Sequence, residues 1–275
     1  MRHSLHHIAL AILAVSFITA CAESDREIEP TVGAVPAASP EQNKLQEVLD
    51  RGSLRVGTTG DFYMSAKNPE TGERSGFDIE LTTKLAEDMG VEVEYVATDW
   101  TSLVSGLSAG RYDITTGASY TAGRARLASY TIPIATVGTV ALVREADRET
   151  YTSWESINRS DVIVAVRQGA MVEEYAGDLV PNAGIRAIAS PASAYVEVVS
   201  GRADVVLASL VDAAEQIADG SPLRSAPVEP QNANFIGLLV QQGHSELRSY
   251  IDAWIRAQER SGYLADLTAK YHLSF

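Results

Sequence analysis

Two successive units of alternating strand and helix patterns constrain the fold of this chain more than any other feature. The first covers residues 53–116 and the second residues 162–218, and each runs strand, helix, strand, helix, strand. Short connections between such segments predict mainly parallel sheets with helices packed on their faces. Sheets of this kind bind ligands at the carboxyl ends of their strands. The sequence therefore predicts an α/β protein with two lobes and a ligand-binding cleft between them.

The periodicity of the apolar residues also sets the bounds of several individual elements. A helix is predicted over residues 100–109, and a single strand over 235–241. Two helices follow, over 245–261 and 263–271, and Gly262 separates them.

The charge and cysteine content exclude several classes of protein. The 275 residues include 22 Lys and Arg against 36 Asp and Glu, which gives a net charge of -14. An acidic chain repels the phosphate backbone, so no nucleic-acid partner is expected. A single Cys excludes a disulfide framework and a cysteine-based zinc site. No metal site and no cofactor are predicted, and the chain has neither of the two Gly-rich phosphate-binding loops.

Residues 1–21 have the three-part layout of a secretory leader. Arg2 supplies a positive charge, residues 8–18 form a short apolar core, and small residues precede Cys21. The apolar core is shorter than the roughly 20 residues that a membrane-spanning helix needs. Residues 18–21 resemble the lipobox of bacterial lipoproteins, which implies that Cys21 is lipidated and becomes the new N-terminus. A plain signal peptide that contains a Cys is the alternative.

Residues 22–43 contain three prolines, many small residues and few large apolar ones. This composition is typical of a flexible tether. We therefore expect a folded domain that begins at residue 44 and lies outside the cytoplasm, in the periplasm or at the cell surface. The lipid on Cys21 is expected to hold it at a membrane.

Six short motifs in the folded part resemble the polar-amino-acid class of bacterial extracytoplasmic solute-binding proteins. Each motif alone has little specificity, but all six occur in the family's order. They are Leu54-Arg55-Val56-Gly57-Thr58, Gly76-Phe77-Asp78-Ile79-Glu80-Leu81, Gly110-Arg111-Tyr112-Asp113-Ile114, residues 121–134, Gly201-Arg202-Ala203-Asp204 and Glu259-Arg260-Ser261-Gly262-Tyr263.

This resemblance implies the periplasmic-binding-protein type 2 fold, in which two crossing strands join two α/β lobes. The crossings are expected near 137–140 and 232–236. Lobe one would then comprise residues 44–138 and 234–275, and lobe two residues 139–233. Ligand binding would close the cleft by a hinge motion.

A branch of the family, the cyclohexadienyl dehydratases, is similar at three further places. These are the turn Thr58-Thr59-Gly60-Asp61, the segment 98–103 around Trp100, and the spacing of Arg124 and Arg126 after Ser119. That branch converts prephenate or arogenate to phenylpyruvate or phenylalanine.

Arg124 is the leading candidate for ligand binding. A guanidinium is a planar fork that binds a carboxylate through two charge-assisted hydrogen bonds. The resemblance implies that Arg124 holds the carboxylate of the ligand, supported by the Ser119 hydroxyl and by Gly117 and Ala118. The alternative is a surface Arg at a helix start, where the helix dipole disfavours a cation.

The resemblance implies further ligand contacts in both lobes. Aromatic faces at Phe62 and Trp100 would enclose the ligand, although by composition alone both fit a core. Ser209 stands where amino-acid binders carry an Asp for the ligand ammonium, and Asp212 is a possible substitute. Arg167 would face the ligand, and two cations suit a ligand with two carboxylates. The remaining predicted contacts are Asp61, Ala170 and Met171.

Glu173 is the candidate general acid under the dehydratase alternative. It lies where that branch has its catalytic acid, and Met171 and Val172 would provide apolar surroundings that raise the pKa of a carboxyl group. The alternative is a solvated acid in the first turn of a helix, where carboxylates are favoured. Glu174 is expected to be such a residue.

Two functions follow from these residues. The first is an extracytoplasmic binding protein that passes a small amino-acid-like or carboxylate-bearing solute to an ABC permease. A monomer is expected for such a carrier. The second is a lyase of the cyclohexadienyl dehydratase type that uses Glu173.

Overall fold

The computed structural model of the chain describes residues 43–60, 62–190, 192–271 and 273, without the side chains of Phe62, Tyr63 and Asn232. The predicted leader, the lipidation site Cys21 and the predicted tether up to residue 42 lie outside the described residues. Asp61 and the Phe62 side chain lie outside them as well. Among the described residues, no helix has both the length and the apolar character needed to cross a membrane.

Strands and helices alternate along most of the described chain. The strands are β1 (Ser53–Thr58), β2 (Ala66–Lys67), β3 (Arg74–Ser75), β4 (Glu92–Ala97), β5 (Ile114–Thr115), β6 (Ala118–Ser119), β7 (Ala128–Tyr130), β8 (Ala135–Arg144), β9 (Ile163–Arg167), β10 (Gly184–Ile188), β11 (Val205–Ser209), β12 (Leu223–Ser225), β13 (Gln231–Gly237) and β14 (Leu239–Gln241). The helices are α1 (Lys44–Arg51), α2 (Phe62–Ser65), α3 (Phe77–Met89), α4 (Leu103–Ser108), α5 (Ala122–Ala125), α6 (Trp154–Ile157), α7 (Met171–Leu179), α8 (Ala194–Val199), α9 (Leu210–Ala218), α10 (Ser245–Ser261) and α11 (Tyr263–Lys270).

The first sheet has the strand order β4-β1-β5-β14-β7. Its centre is parallel, because β1 runs parallel to both β4 and β5, whereas β14 is antiparallel to its two neighbours. Leu54 and Val56 alternate on β1 and are fully buried. They pack in one core with Leu81 and Leu85 of α3 and with Ile251 of α10.

The second sheet has the order β10-β9-β11-β8-β13-β6, and β12 pairs with β8. Here β9 runs parallel to β10 and β11, while β8 is antiparallel to β11. Helices cover both faces of this sheet. Val164 and Val166 of β9 share a core with α7, and Ala165 between them shares one with Val198 of α8.

The two predicted crossing segments lie in β8 and β13, which pair antiparallel with Asn234 opposite Val137. The predicted single strand over 235–241 is wrong, because the chain changes sheets at Leu238. Strand β13 ends at Gly237 in the second sheet, and β14 begins at Leu239 in the first. Between them, the Leu238 N–H donates to Thr131 Oγ1 at 3.0 Å instead of to a neighbouring strand.

Candidate ligand-binding site

A cleft that is partly open to solvent collects residues from both predicted lobes. Its apolar walls include Met64, Val137, Val172, Leu207, Val211 and Ile236. Eight residues predicted to bind ligand also line it: Trp100, Gly117, Ser119, Arg124, Arg167, Ala170, Met171 and Ser209. Apolar walls with a few polar groups at fixed positions are typical of small-molecule sites.

Arg124 lies in α5, and its guanidinium is held on three sides. The helix starts at Thr121, whose Oγ1 accepts the Arg124 N–H at 3.2 Å. Nη1 donates to the Ser119 carbonyl at 3.0 Å, and Nη2 donates to the Gly169 carbonyl at 2.9 Å. The Cζ atom lies 4.8 Å from the centroid of the Trp100 ring. Arg124 is therefore fixed at the wall of the cleft rather than directed into solvent.

The charge of Arg124 is largely shielded from water. The residue is only 8% exposed, and burial lowers the pKa of its guanidinium. An Arg nevertheless stays protonated at neutral pH. None of the carboxylates in the described part of the chain forms an ion pair with it. A buried cation of this kind is stabilised when an anion enters the cleft.

Trp100 lies in a turn and not in a helix. The predicted helix over 100–109 begins only at Leu103, because the Asp99 side chain bonds the chain locally. Asp99 Oδ1 accepts the Ser102 N–H at 2.8 Å and the Thr101 hydroxyl at 2.6 Å. This Asx-type turn sets the Trp100 ring beside Arg124.

Gly117 has its position fixed by a buried acid. Its N–H donates to Asp78 Oδ1 at 2.9 Å, and a Cβ added at Gly117 would lie 2.7 Å from that oxygen. The same Cβ would lie 2.8 Å from Ile236 Cγ2, so glycine is required here. Ala118 does not line the cleft and is fully buried in a separate core beside it, so its predicted ligand contact stays a prediction.

Ser209 ends β11 and serves as the N-cap of α9. Its Oγ accepts the Asp212 N–H at 3.1 Å. This cap sets Asp212 in the first turn of α9, where it lines the cleft together with Ser209 and Arg167. Asp212 thus brings a carboxyl group into the cleft, one helical turn after Ser209, the position at which the resemblance places the Asp of amino-acid binders.

Glu173 is not one of the residues that line the cleft. Its Oε2 accepts the Gly169 N–H at 2.6 Å, which is a local contact just before α7. Its neighbour Glu174 is exposed, as expected, but its Oε1 accepts the Gly123 N–H at 3.2 Å. The catalytic role of Glu173 stays a prediction.

Sequence reasoning missed several residues of the cleft. Tyr195 on α8 lines it, as does Met64 on α2. A second cavity shares Trp100, Arg167 and Tyr195 with the cleft. Its other walls are mostly polar and include Thr59, Asp99, Thr101, Gln168, Ser190 and Ser193. The available binding space therefore continues beyond the apolar walls.

No metal centre is formed within the described residues. Their His, Cys, Asp and Glu side chains include no group of three or more placed to hold a metal ion.

The fold and the cleft define a class of protein: two-lobed α/β proteins that enclose a small solute between their sheets. Residues 54–274 match the bacterial extracellular solute-binding proteins, family 3, and the chain belongs to that family. The predicted family and fold class are thereby confirmed.

Similar proteins include both an enzyme and carriers. Cyclohexadienyl dehydratase of Pseudomonas aeruginosa is 26% identical over 226 residues, which is 82% of this chain and 84% of that protein. L-cystine-binding protein TcyJ of Escherichia coli is 22% identical over 232 residues, covering 84% and 86%. A crystal structure of the ancestral amino acid-binding protein AncCDT-1, a precursor of cyclohexadienyl dehydratase, superposes with a TM-score of 0.75. It is 33% identical, over 82% of this chain and 98% of that one.

Proposed function

We propose that this chain is an extracytoplasmic binding protein that captures a small, amino-acid-like solute for an ABC importer. The observation that carries the proposal is the buried Arg124 guanidinium at the wall of the cleft, which has no carboxylate partner among the described residues. A ligand carboxylate satisfies this cation, and its two oxygens fit the guanidinium fork.

The other charges of the cleft narrow the ligand. Arg167 and Asp212 line the same space as Arg124, so the described walls carry two cations and one anion. Both kinds of charge are thus present in the walls of the cleft, which agrees with an amino acid that carries a carboxylate and an ammonium group.

The test is a thermal-shift screen of the purified protein against amino acids and small carboxylic acids, followed by calorimetry on the strongest hit. Arg124→Met should lower the affinity for that hit by roughly a hundredfold, since a charge-assisted bidentate contact is lost. Arg126→Met is the matched control, because Arg126 is exposed and does not line the cleft. Equal affinity in the Arg124 and Arg126 variants would contradict the proposal.

We also propose that the protein is a monomer held at a membrane through a lipid on Cys21. The support is the lipobox-like segment 18–21 and the tether-like composition of residues 22–43. Metabolic labelling with a radioactive fatty acid should mark the wild type but not Cys21→Ser, and the variant should leave the membrane fraction. Light scattering of the soluble variant tests the monomer.

A second candidate function is a lyase of the cyclohexadienyl dehydratase type. The observation in its favour is the 26% identical dehydratase, together with Glu173 in the first turn of the helix that supplies Met171 to the cleft. Incubation with prephenate, followed by detection of phenylpyruvate in alkali, tests it. Turnover in the wild type that Glu173→Gln abolishes would establish the enzyme. Absence of turnover, with calorimetric binding of an amino acid, would establish the carrier.

A further inference from the structure

We propose that Glu173 is a positioning residue for lobe closure: its carboxylate fixes Gly169, and Gly169 receives Arg124 from the opposite lobe. The proposal concerns how the cleft closes, so it depends on the two lobes and not on the identity of the ligand.

Gly169 makes contacts on three sides. Its N–H donates to Glu173 Oε2 at 2.6 Å, and its carbonyl accepts Arg124 Nη2 at 2.9 Å. A Cβ added at Gly169 would lie 2.8 Å from Thr101 N and from Trp100 C. The residue also has a φ of +76°, which favours glycine. The backbone of lobe two therefore lies directly against the Trp100 turn of lobe one.

The residues after Glu173 add two contacts between the lobes. Glu174 Oε1 accepts the Gly123 N–H at 3.2 Å, and the Tyr175 hydroxyl donates to the Tyr120 carbonyl at 3.2 Å. Three hydrogen bonds thus join the segment that carries Arg124 to α7 and to Gly169, which precedes that helix.

Closure and ligand capture then depend on the same side chain. A guanidinium has five N–H donors, and the structure commits one on Nη1 to Ser119 and one on Nη2 to Gly169. By count, three donors remain, and two are enough for a ligand carboxylate. Arg124 can therefore hold the lobes together and still bind an anion. Glu173 acts on this bond through Gly169, and this role requires no proton transfer by Glu173.

The first experiment compares Glu173→Ala with Glu173→Gln in the full chain, stripped of ligand by dialysis. Small-angle X-ray scattering reports the separation of the lobes, and amide hydrogen exchange reports Gly123 and Gly169. We expect Glu173→Ala to increase the radius of gyration and to raise exchange at Gly123 by roughly tenfold, as for loss of one charge-assisted hydrogen bond. Glu173→Gln should restore closure, because its amide oxygen still accepts the Gly169 N–H.

The same substitution in an Arg124→Met background separates positioning from simple helix capping. If Glu173 acts through Arg124, Glu173→Ala should not increase the radius of gyration any further in the Arg124→Met background. If Glu173 only caps α7, its loss should increase the radius of gyration equally in the wild-type and Arg124→Met backgrounds, and that result would overturn the proposal. Unchanged exchange at Gly123 in Glu173→Ala would overturn it as well.

Gly169→Ala gives an independent check, since its methyl group would meet the Trp100–Thr101 backbone. We expect it to open the lobes, whereas Gly177→Ala should not, because nothing lies within 4 Å of a Cβ at Gly177 in α7. If both variants scatter like the wild type while retaining their melting temperature, the Gly169 contact does not control closure. These measurements need no ligand, so they can fail while the binding proposal stands, and the reverse also holds.

Discussion

The guanidinium carbon of Arg124 lies 4.8 Å from the centroid of the Trp100 ring, so the two side chains form a cation–π pair. Arg124 is buried, and Trp100 lines the same cleft. A desolvated pair of this kind contributes about 2 kcal/mol. Trp100 therefore holds the Arg124 guanidinium in place and also forms one wall of the cleft that Arg124 lines.

Replacing Trp100 should weaken ligand binding in proportion to the aromatic face that is lost. For the strongest ligand found by the thermal-shift screen, Trp100→Ala should lower the affinity by roughly thirtyfold, the equivalent of about 2 kcal/mol. Trp100→Phe should lose less, because it keeps a smaller ring face. Calorimetry measures both. Trp154→Phe serves as the control, since Trp154 lies outside the cleft and donates to the Glu229 carbonyl. Equal affinities in all three variants would contradict the pairing.

The Tyr130 hydroxyl supports the segment that carries Arg124. It donates to the Ser119 carbonyl at 2.7 Å and accepts the Thr121 N–H at 3.2 Å. Burial raises the pKa of Tyr130, so the hydroxyl is neutral at ordinary pH. In Tyr130→Phe, the buried Thr121 N–H loses its acceptor, and the free energy of unfolding should fall by about 1–2 kcal/mol.

Urea denaturation measures the effect of Tyr130→Phe. The matched control is Tyr250→Phe, because the Tyr250 hydroxyl makes no hydrogen bond to the described residues and that side chain only packs against the core. A fall in stability as large in the control as in Tyr130→Phe would show that the hydroxyl contacts of Tyr130 contribute nothing.

Local signals in the sequence account for the elements that were predicted with the correct bounds. Helix α10 has the predicted bounds and ends at Gly262, which adopts a left-handed conformation with φ of 84°. The helix predicted from residue 100 starts late because one side chain, Asp99, bonds the backbone in competition with the helix.

Contacts between distant residues could not be predicted from the sequence. The change of sheet at Leu238 depends on Thr131, more than a hundred positions earlier. The bond between Arg124 and Gly169 joins residues 45 positions apart. Motif resemblance identified Arg124 as a ligand-binding candidate, but no pattern showed what it contacts in the folded chain. Tyr195 likewise reaches the cleft only through the packing of α8.

Two glycines allow the Tyr112 ring to be buried. A Cβ at Gly57 would lie 2.6 Å from Tyr112 Cε2, and one at Gly106 would lie 2.5 Å from its hydroxyl oxygen. Tyr112 is 1% exposed and cannot move aside. Gly57→Ala should therefore lower the free energy of unfolding by about 1–3 kcal/mol, the usual cost of overpacking. Gly177→Ala should raise it by about 0.5–1 kcal/mol, since α7 has room for a methyl group and alanine favours helix. Chemical denaturation of the two variants gives opposite signs if the packing is as described.

Glu80 links α3 to the end of α11 and makes part of the stability depend on pH. Its carboxylate accepts Lys270 Nζ at 2.7 and 2.9 Å and also accepts the Tyr271 hydroxyl. Burial works to raise the pKa of Glu80, but these hydrogen bonds outweigh it, and the pKa lies below its ordinary value. The folded state thus binds a proton at this carboxylate less readily than the unfolded state does.

This direction fixes the sign of the pH dependence. A carboxyl group whose pKa is lowered on folding stabilises the protein above its unfolded pKa, about 4.3, and that contribution is lost as pH falls through the folded value. The stability difference between wild type and Glu80→Gln should therefore be constant near pH 7 and shrink below about pH 4.

Because the Glu80 side chain is 39% exposed, solvent and salt screen its interaction with Lys270, and 1 M salt should reduce the stability difference at pH 7. Lys270→Met should lose part of this pH-dependent difference, because the Tyr271 hydroxyl still donates to Glu80, and Glu87→Gln, a change at an exposed acid on the same helix, serves as the control. Urea denaturation from pH 3 to 7 measures all four proteins. A Glu80→Gln difference that grows on acidification would show that the contact with Lys270 does not stabilise the fold.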